Sequence, residues 1–257
     1  MTDTFNTFKE LHHQDQPLLI GNVWDVAGAQ LFEKLGFKAI ATSSSAIADT
    51  LGEADGENIS FDDYLSVVKR IITHTNLPLS VDLESGYGST PDEIADNIKN
   101  LVDLGVVGIN LEDSKEVDGK RSLEDVDLFA EKLKAITQRL KDENINLFIN
   151  LRSDPFLLQI PNALEESLKR VALYENYVSG IFLPFIKEAA DIMAVTEKTD
   201  LPLNVLSMQG LPHFDTLQEL GVKRISIGGS MYNHLKGKME ELTQSIQENK
   251  SVDILFQ

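Results

Sequence analysis

The sequence predicts a single (β/α)8 (TIM) barrel, eight parallel strands closed into a ring with helices outside. Three observations predict it. The chain has 257 residues, enough for one large domain, and no linker, low-complexity tract or charge block divides it. One phrase recurs, a helical pattern ending in glycine followed by a short β-rich run. It reads "LFEKLGFKAIATSS" at 31–44, "IKNLVDLGVVGINLED" at 98–113 and "LQELGVKRISIGGS" at 217–230, with looser copies at 139–154 and 172–185. Helix and strand patterns then alternate about eight times, which calls for parallel strands joined by right-handed crossovers and fits the size of a closed barrel. An open, doubly wound sheet would carry a glycine-rich fingerprint after its first strand, and "GNVWDVAG" at 21–28 is not one. The domain is expected to span 1–257, with residues 1–16 as a short helical extension.

The expected strands are 18–22, 39–44, 78–83, 108–112, 147–152, 180–184, 202–206 and 224–228. Gly36, Gly105 and Gly221 stand where a helix ends in a left-handed residue. Thr90-Pro91-Asp92-Glu93 reads as a helix start, with a capping threonine, a first-turn proline and a glutamate at the third position. Along a strand, alternate residues face opposite sides. Leu79, Val81 and Leu83 share one face, and Ser80, Asp82 and Glu84 the other. Ile109 and Leu111 oppose Asn110 and Glu112; Ile149 and Leu151 oppose Asn150, Arg152 and Asp154; Ile225 and Ile227 oppose Ser226 and Gly228. The apolar sets must cover the outside, against the helices. The interior is therefore expected to be polar, where most barrels hold bulky aliphatic groups.

Composition narrows the function. Hydrophobic residues make up 42% and charged residues 25%, an ordinary globular balance. The chain has no cysteine, which excludes disulfides, thiolate metal sites and thiol nucleophiles and fits a reducing compartment. A net charge of −18 argues against nucleic-acid and anionic-membrane partners. The polar N-terminus has no signal-like apolar run and no stretch reaches membrane-span length, so the expected location is cytoplasmic.

Three inward acids, Asp82, Glu84 and Glu112, gather at the C-terminal strand ends, where barrels build active sites. Packed carboxylates resist ionisation unless a cation joins them, and an all-oxygen set suits Mg2+ or Mn2+. One such acid is more often a solvated loop residue; three on adjacent strands with matching parity favour a metal. Arg152, with the same facing, could hold a carboxylate or a developing enolate, or pair internally with Asp154 or Glu112. Ser43, Ser44 and Ser45 could close on an anionic group, and Asn204 could meet substrate or fill the barrel. Gly228-Gly229-Ser230 forms a weaker anion-site candidate. Lys187 could form a Schiff base but reads better as a solvated helix start. The five histidines show no metal-ligand spacing.

On "GNVWDVAGAQLFEKLGFKAIATSSSAIADTLGEADGE" (21–57), "SVDLESGYG" (80–88), "GINLED" (108–113), "INLRSD" (149–154), "LPLNVL" (201–206) and "GVKRISIGGSMY" (221–232), the chain resembles the isocitrate lyase/phosphoenolpyruvate mutase superfamily over nearly its whole length. The resemblance implies a Mg2+-dependent barrel acting on α-oxo or 2-hydroxy acids through a pyruvate enolate. It also implies a homo-oligomer, commonly a tetramer, whose last helix is exchanged between barrels. By the same resemblance Asp82, Glu84 and Glu112 match metal-site acids, Arg152 the substrate arginine, and Ser43 to Ser45 the carboxylate-holding turn. Asp55 matches an aspartate on a flexible segment, and Trp24 and Asn204 match pocket positions. The chain departs from the family where the lyases carry a cysteine loop, since "EDSKEVDGKRSLED" (112–125) is short and cysteine-free, and at Phe185, where lyases tend to carry glutamate. The expected activity is a Mg2+-dependent lyase, decarboxylase or hydrolase of a small α-oxo or 2-hydroxy dicarboxylate. The alternatives are a P–C bond mutase or hydrolase, with Lys115, Lys120 or Arg121 supplying a cation, and a non-catalytic oxo-acid-binding protein.

Overall fold

All eight expected strands form, and they close into one parallel barrel. In the computed structural model, which describes residues 2–117 and 119–256, the barrel strands are β1 (Leu18–Val23), β2 (Ile40–Thr42), β3 (Leu79–Asp82), β4 (Gly108–Glu112), β7 (Phe148–Arg152), β8 (Gly180–Phe182), β9 (Leu203–Leu206) and β10 (Arg224–Ser226). Met1 and Gln257, at the ends of the expected domain, and Asp118, in the loop after β4, lie outside the described residues. The order round the ring is β1-β10-β9-β8-β7-β4-β3-β2. Pairing sets Asn110 beside Asp82 and Arg152 beside Glu112, so the polar strand ends are neighbours. The loop after β4 is not irregular. It folds into an antiparallel hairpin, β5 (Ser114–Val117) and β6 (Lys120–Leu123).

Helices α2 (Val26–Lys34), α3 (Ser44–Leu51), α4 (Phe61–Ile72), α5 (Pro91–Asp103), α6 (Val126–Asp142), α7 (Ala163–Tyr174), α8 (Ala189–Thr196) and α9 (Phe214–Glu219) surround the ring. Their buried faces meet the outward strand residues, Val81, Ile109, Leu151, Val205 and Ile225 among them, in one continuous core. The start of α5 forms as its sequence dictates: Thr90 accepts from the Glu93 amide while Glu93 reaches back to the cap.

The interior is polar mainly in its upper part. The lower part is largely apolar, with Arg224 its buried charged exception, because α1 (Thr2–Leu11) closes that end of the barrel with Phe8, which meets Leu18, Ile20, Ala39, Ala41, Val107 and Phe148. This gives the N-terminal extension its function as a plug. A Cβ at Gly108 would stand 2.7 Å from Phe8 Cε1, so the absent side chain makes room for the plug. His12, just past α1, stacks on Phe148 with ring centroids 4.1 Å apart. Its Nδ1–H donates to the Phe8 carbonyl at 2.8 Å.

Burial, aided by the Arg224 charge, holds His12 down to about 3. Below about pH 6.5 the unfolded chain binds a proton that the folded chain refuses, so stability falls as pH falls, by about 1.4 kcal/mol per unit from this group. Urea unfolding at pH 7 and pH 5 should therefore show His12→Gln losing about 2 kcal/mol less than the unaltered chain over that interval. Equal losses in both chains would refute the account.

The last helix, α10 (Ser230–Asn249), has no buried residue. Met231, Leu235, Met239 and Leu242 on it, and Val252, Leu255 and Phe256 after it, are exposed. Lys236 pairs with Asp49 on α3 at 2.6 Å, and Tyr232 donates to the same carboxylate.

Candidate active site

A pocket of about 150 Å3 opens at the C-terminal end of the barrel axis, lined by Asn22, Ser43, Ser44, Ser45, Asp55, Asp82, Asn110, Arg152, Phe182, Pro184, Leu206, Ser226, Gly228 and Gly229. Asp82 is its fixed acid. Ser44 Oγ donates to Asp82 Oδ2 at 2.8 Å, and Asn110 Nδ2 donates to Oδ1 at 3.3 Å. The strand end beneath is clamped. The Asp82 amide donates to Thr42 Oγ1 at 2.8 Å, and the Tyr64 hydroxyl on α4 donates to the Asp82 carbonyl at 2.8 Å. With that proton committed, Thr42 donates its own to Tyr64 Oη at 2.8 Å, and the ring of hydrogen bonds is complete. Tyr64 lies too far along the chain from Asp82 for parity to have found it.

The three expected acids do not face one pocket. β3 ends at Asp82, and Glu84 adopts φ 50, a left-handed turn that takes its side chain off the strand's alternation. Glu84 faces an adjoining groove of about 510 Å3, between the hairpin and the 56–57 and 84–89 loops. There it accepts from the Glu57 amide at 2.9 Å and the Tyr87 hydroxyl at 2.9 Å. Burial, and then the charges of Asp55, Asp82 and Glu112, push it up to about 8. Glu112 is inward as expected, but Arg121 from β6 and Arg152 engage it, the latter at 3.4 Å. Burial raises the Glu112 carboxyl against the pull of both guanidiniums, and its Oε1 has no partner among the described residues. Among those residues no three histidine, aspartate or glutamate side chains stand close enough to enclose an ion. Of the three expected acids, Asp82 lines the axial pocket, where Asp55 joins it, while Glu84 and Glu112 line the adjoining groove.

Arg152 reaches the pocket with its guanidinium anchored. Nε donates to Asp154 Oδ1 at 2.8 Å and Nη2 to Oδ2 at 3.1 Å. Nη1 accounts for none of its hydrogen bonds within the protein, and the residue lines the pocket. Behind it, Asp113 is held by Ser153 Oγ at 2.6 Å and by Arg170 of α7 at 2.9 Å, fixing the ends of β4 and β7 to the outer helices.

Opposite Arg152, Ser43 caps α3 and Ser44 and Ser45 form its first turn. Ser43 makes no side-chain cap bond; its Oγ meets Ser45 Oγ at 3.3 Å, and all three serines line the pocket at the start of α3, a place suited to a carboxylate. Gly228 and Gly229 close the rim; a Cβ at Gly228 would stand 2.6 Å from Leu206, and its φ of 62 is left-handed. Ser230 instead donates to the Ser207 carbonyl. Asp55 lines the pocket from its loop. Desolvation, and then the Asp82 charge, raise its carboxyl.

Two expected pocket residues lie elsewhere. Trp24 meets Tyr232 of α10 edge to face, ring centroids 5.0 Å apart, because its position on the strand-to-helix turn aims it outward. Asn204 is fully buried below the floor, where it exchanges hydrogen bonds with Ser226 at 3.0 and 3.1 Å. Ser226 is the residue that lines the floor, together with Asn22, whose Oδ1 accepts from the Gly228 amide at 2.8 Å. Strand parity at Leu18, Ile20 and Asn22 carried that signal. Lys187 is exposed beside Gly210 and lines neither cavity.

An acid, a guanidinium and a serine-rich helix start converge at the C-terminal end of a parallel barrel, where enzymes of this architecture place their active sites. The chain belongs to the phosphoenolpyruvate phosphomutase family, whose sequence model matches residues 8–247. It is 32% identical over 228 residues to an uncharacterized protein of Mycobacterium tuberculosis H37Rv, covering 88% of this chain and 83% of that one. It is 25% identical over 236 residues to the phosphoenolpyruvate phosphomutase of Tetrahymena pyriformis, covering 87% and 77%. The crystal structure of a candidate phosphonomutase from Burkholderia cenocepacia J2315 superposes with a TM-score of 0.87 at 34% identity, covering 94% and 99%. Other relatives are named 2-methylisocitrate lyase and oxaloacetate decarboxylase.

Proposed function

We propose that the chain is a Mg2+-dependent lyase of a small α-oxo or 2-hydroxy acid, cleaving a carbon–carbon bond through a pyruvate-type enolate. The observation that carries this is the pairing of Asp82 with Arg152 and the start of α3 around one pocket of about 150 Å3, room for a group the size of pyruvate or oxalate. The donor set fits a hard cation. It is all oxygen, and with Asp82 at the strand end, Asp55 on its loop and two flanking carboxylates the ion would keep several waters, as Mg2+ prefers. Asp82 would hold it, with Glu84 and Glu112 reaching its waters. When bound, the ion supplies Lewis-acid stabilisation of negative charge on the oxo oxygen.

The chain's own residues do the rest. Ser43 to Ser45 and the first amides of α3 hold the substrate carboxylate. Arg152, kept in place by Asp154, donates toward the developing enolate oxygen, an effect of about 3–4 kcal/mol per well-placed donor. Asp55, its carboxyl raised, carries the proton exchanged at the enolate carbon.

Oxaloacetate, alkyl-malates, 2-methylisocitrate and phosphonopyruvate, each supplied with Mg2+ and then with EDTA, test the reading by pyruvate or oxalate release. Metal-dependent turnover of a carbon acid supports it, and turnover of phosphonopyruvate alone would transfer the site to P–C chemistry. Binding of Mg2+ and oxalate without turnover would make the chain an oxo-acid-binding protein. The exposed apolar residues of α10 support a homo-oligomer that exchanges this helix between barrels. Light scattering on a chain ending before Ser230 would then report a smaller assembly.

A further inference from the structure

Arg224 is the bulkiest of the fully buried side chains. It stands on β10 in the barrel interior, where Nε reaches Ser226 Oγ at 3.3 Å. Neither Nη1 nor Nη2 has a partner among the described residues. The charged and titratable groups that face it are few. His12 in the plug below is neutral, its imidazole held down to about 3 by burial and by the guanidinium itself. The acid whose charge it feels is Asp82, above it in the pocket.

An unpaired charge in such an interior weakens a fold, and an aliphatic residue is the usual filling of a barrel. Removing it should stabilise the chain. Its position suggests what it contributes in return. Ser226 lines the pocket floor and accepts from Arg224 on one side and from Asn204 at 3.0 Å on the other. The guanidinium therefore lies beneath the surface on which a bound anion would rest, in contact with Ser226 and screened from water.

We propose that Arg224 is a built-in positive charge beneath the active-site floor that strengthens binding of the substrate's anionic part and opposes binding of the cation. It is a positioning residue, acting through Ser226 and through its field, and it makes no contact with substrate. The inference rests on the metal and oxo-acid reading of the pocket given above. It adds that the site selects for compounds delivering net negative charge to the floor.

The test uses the full chain and two probes, Mn2+ alone and oxalate at saturating Mn2+, followed by calorimetry or electron paramagnetic resonance. For Arg224→Met, oxalate should bind roughly tenfold more weakly while Mn2+ alone binds severalfold more tightly, because one buried positive charge has been removed. The same variant should melt at a higher temperature. Arg224→Lys, which keeps the charge, should hold both affinities within about threefold of the unaltered chain. Should Arg224→Met fold poorly, Arg224→Gln removes the charge while leaving a partner for Ser226, and the same opposite shifts are expected. Oxalate and Mn2+ affinities that are both unchanged, or that both weaken, would overturn the role of Arg224 and leave the pocket reading intact. If the unaltered chain binds neither probe, the pocket reading falls and this inference falls with it.

Discussion

Asp82→Asn should abolish both cation binding and turnover. The substitution keeps the size of the side chain and a partner for Ser44, yet removes the strand-end carboxylate of the axial pocket, leaving only Asp55 on its loop. The strand end will stay in place, since Thr42 and Tyr64 hold its backbone and not its side chain. The expected loss is at least about 1000-fold in kcat/KM on whichever compound turns over, about 4 kcal/mol of transition-state stabilisation. Mn2+ titration should show no saturable site. Retained Mn2+ affinity in this variant would show that Glu84 and Glu112, and not Asp82, hold the ion.

Arg152→Lys should cost about 100- to 1000-fold in kcat/KM, because an ammonium cannot span Asp154 with two parallel bonds and still present a third donor to the pocket. The same change leaves Asp154, which is fully buried, with a poorer partner, so stability should fall as well. The two effects separate experimentally. At a temperature well below the melting point of the variant, the catalytic loss should persist with Mn2+ affinity altered less than threefold. A kcat/KM within tenfold of the unaltered chain would make Arg152 a structural ion-pair residue.

Much of this was legible in the sequence, for reasons that can be assigned to particular residues. Period-two alternation in β3, β4 and β7 separated Val81, Ile109 and Leu151, now buried against helices, from Asp82, Asn110 and Arg152, now facing inward. Parity failed where the backbone left the strand. Glu84 was read as continuing β3, but its φ of 50 turns it into the groove. Asn204 obeyed parity and still missed the pocket, because facing inward does not say how deep in the barrel a residue lies. Arg224 has the same inward facing, one residue beyond the alternation read in Ile225–Gly228, and its burial was invisible without the plug. Phe8 and His12 could not be placed against Gly108 and Phe148 from local pattern, since the contacts span a hundred residues or more. The hairpin β5–β6 was hidden by its polarity: Lys120, Arg121 and Ser122 show no apolar stripe, and the pairing is held mostly by backbone bonds.

Glu57 has a consequence for how the pocket can open. Its amide donates to Glu84 Oε2 at 2.9 Å, and its own carboxylate accepts from Ser85 Oγ at 2.8 Å and the Tyr87 amide at 2.9 Å. The segment bearing Asp55 and the turn after β3 are thereby tied together by three hydrogen bonds. Neither half can swing away alone without breaking these three bonds. A motion of the Asp55 segment away from the axial pocket would therefore have to carry the turn after β3 with it, and the residue that couples the two, Glu57, lies outside that pocket, on the wall of the groove.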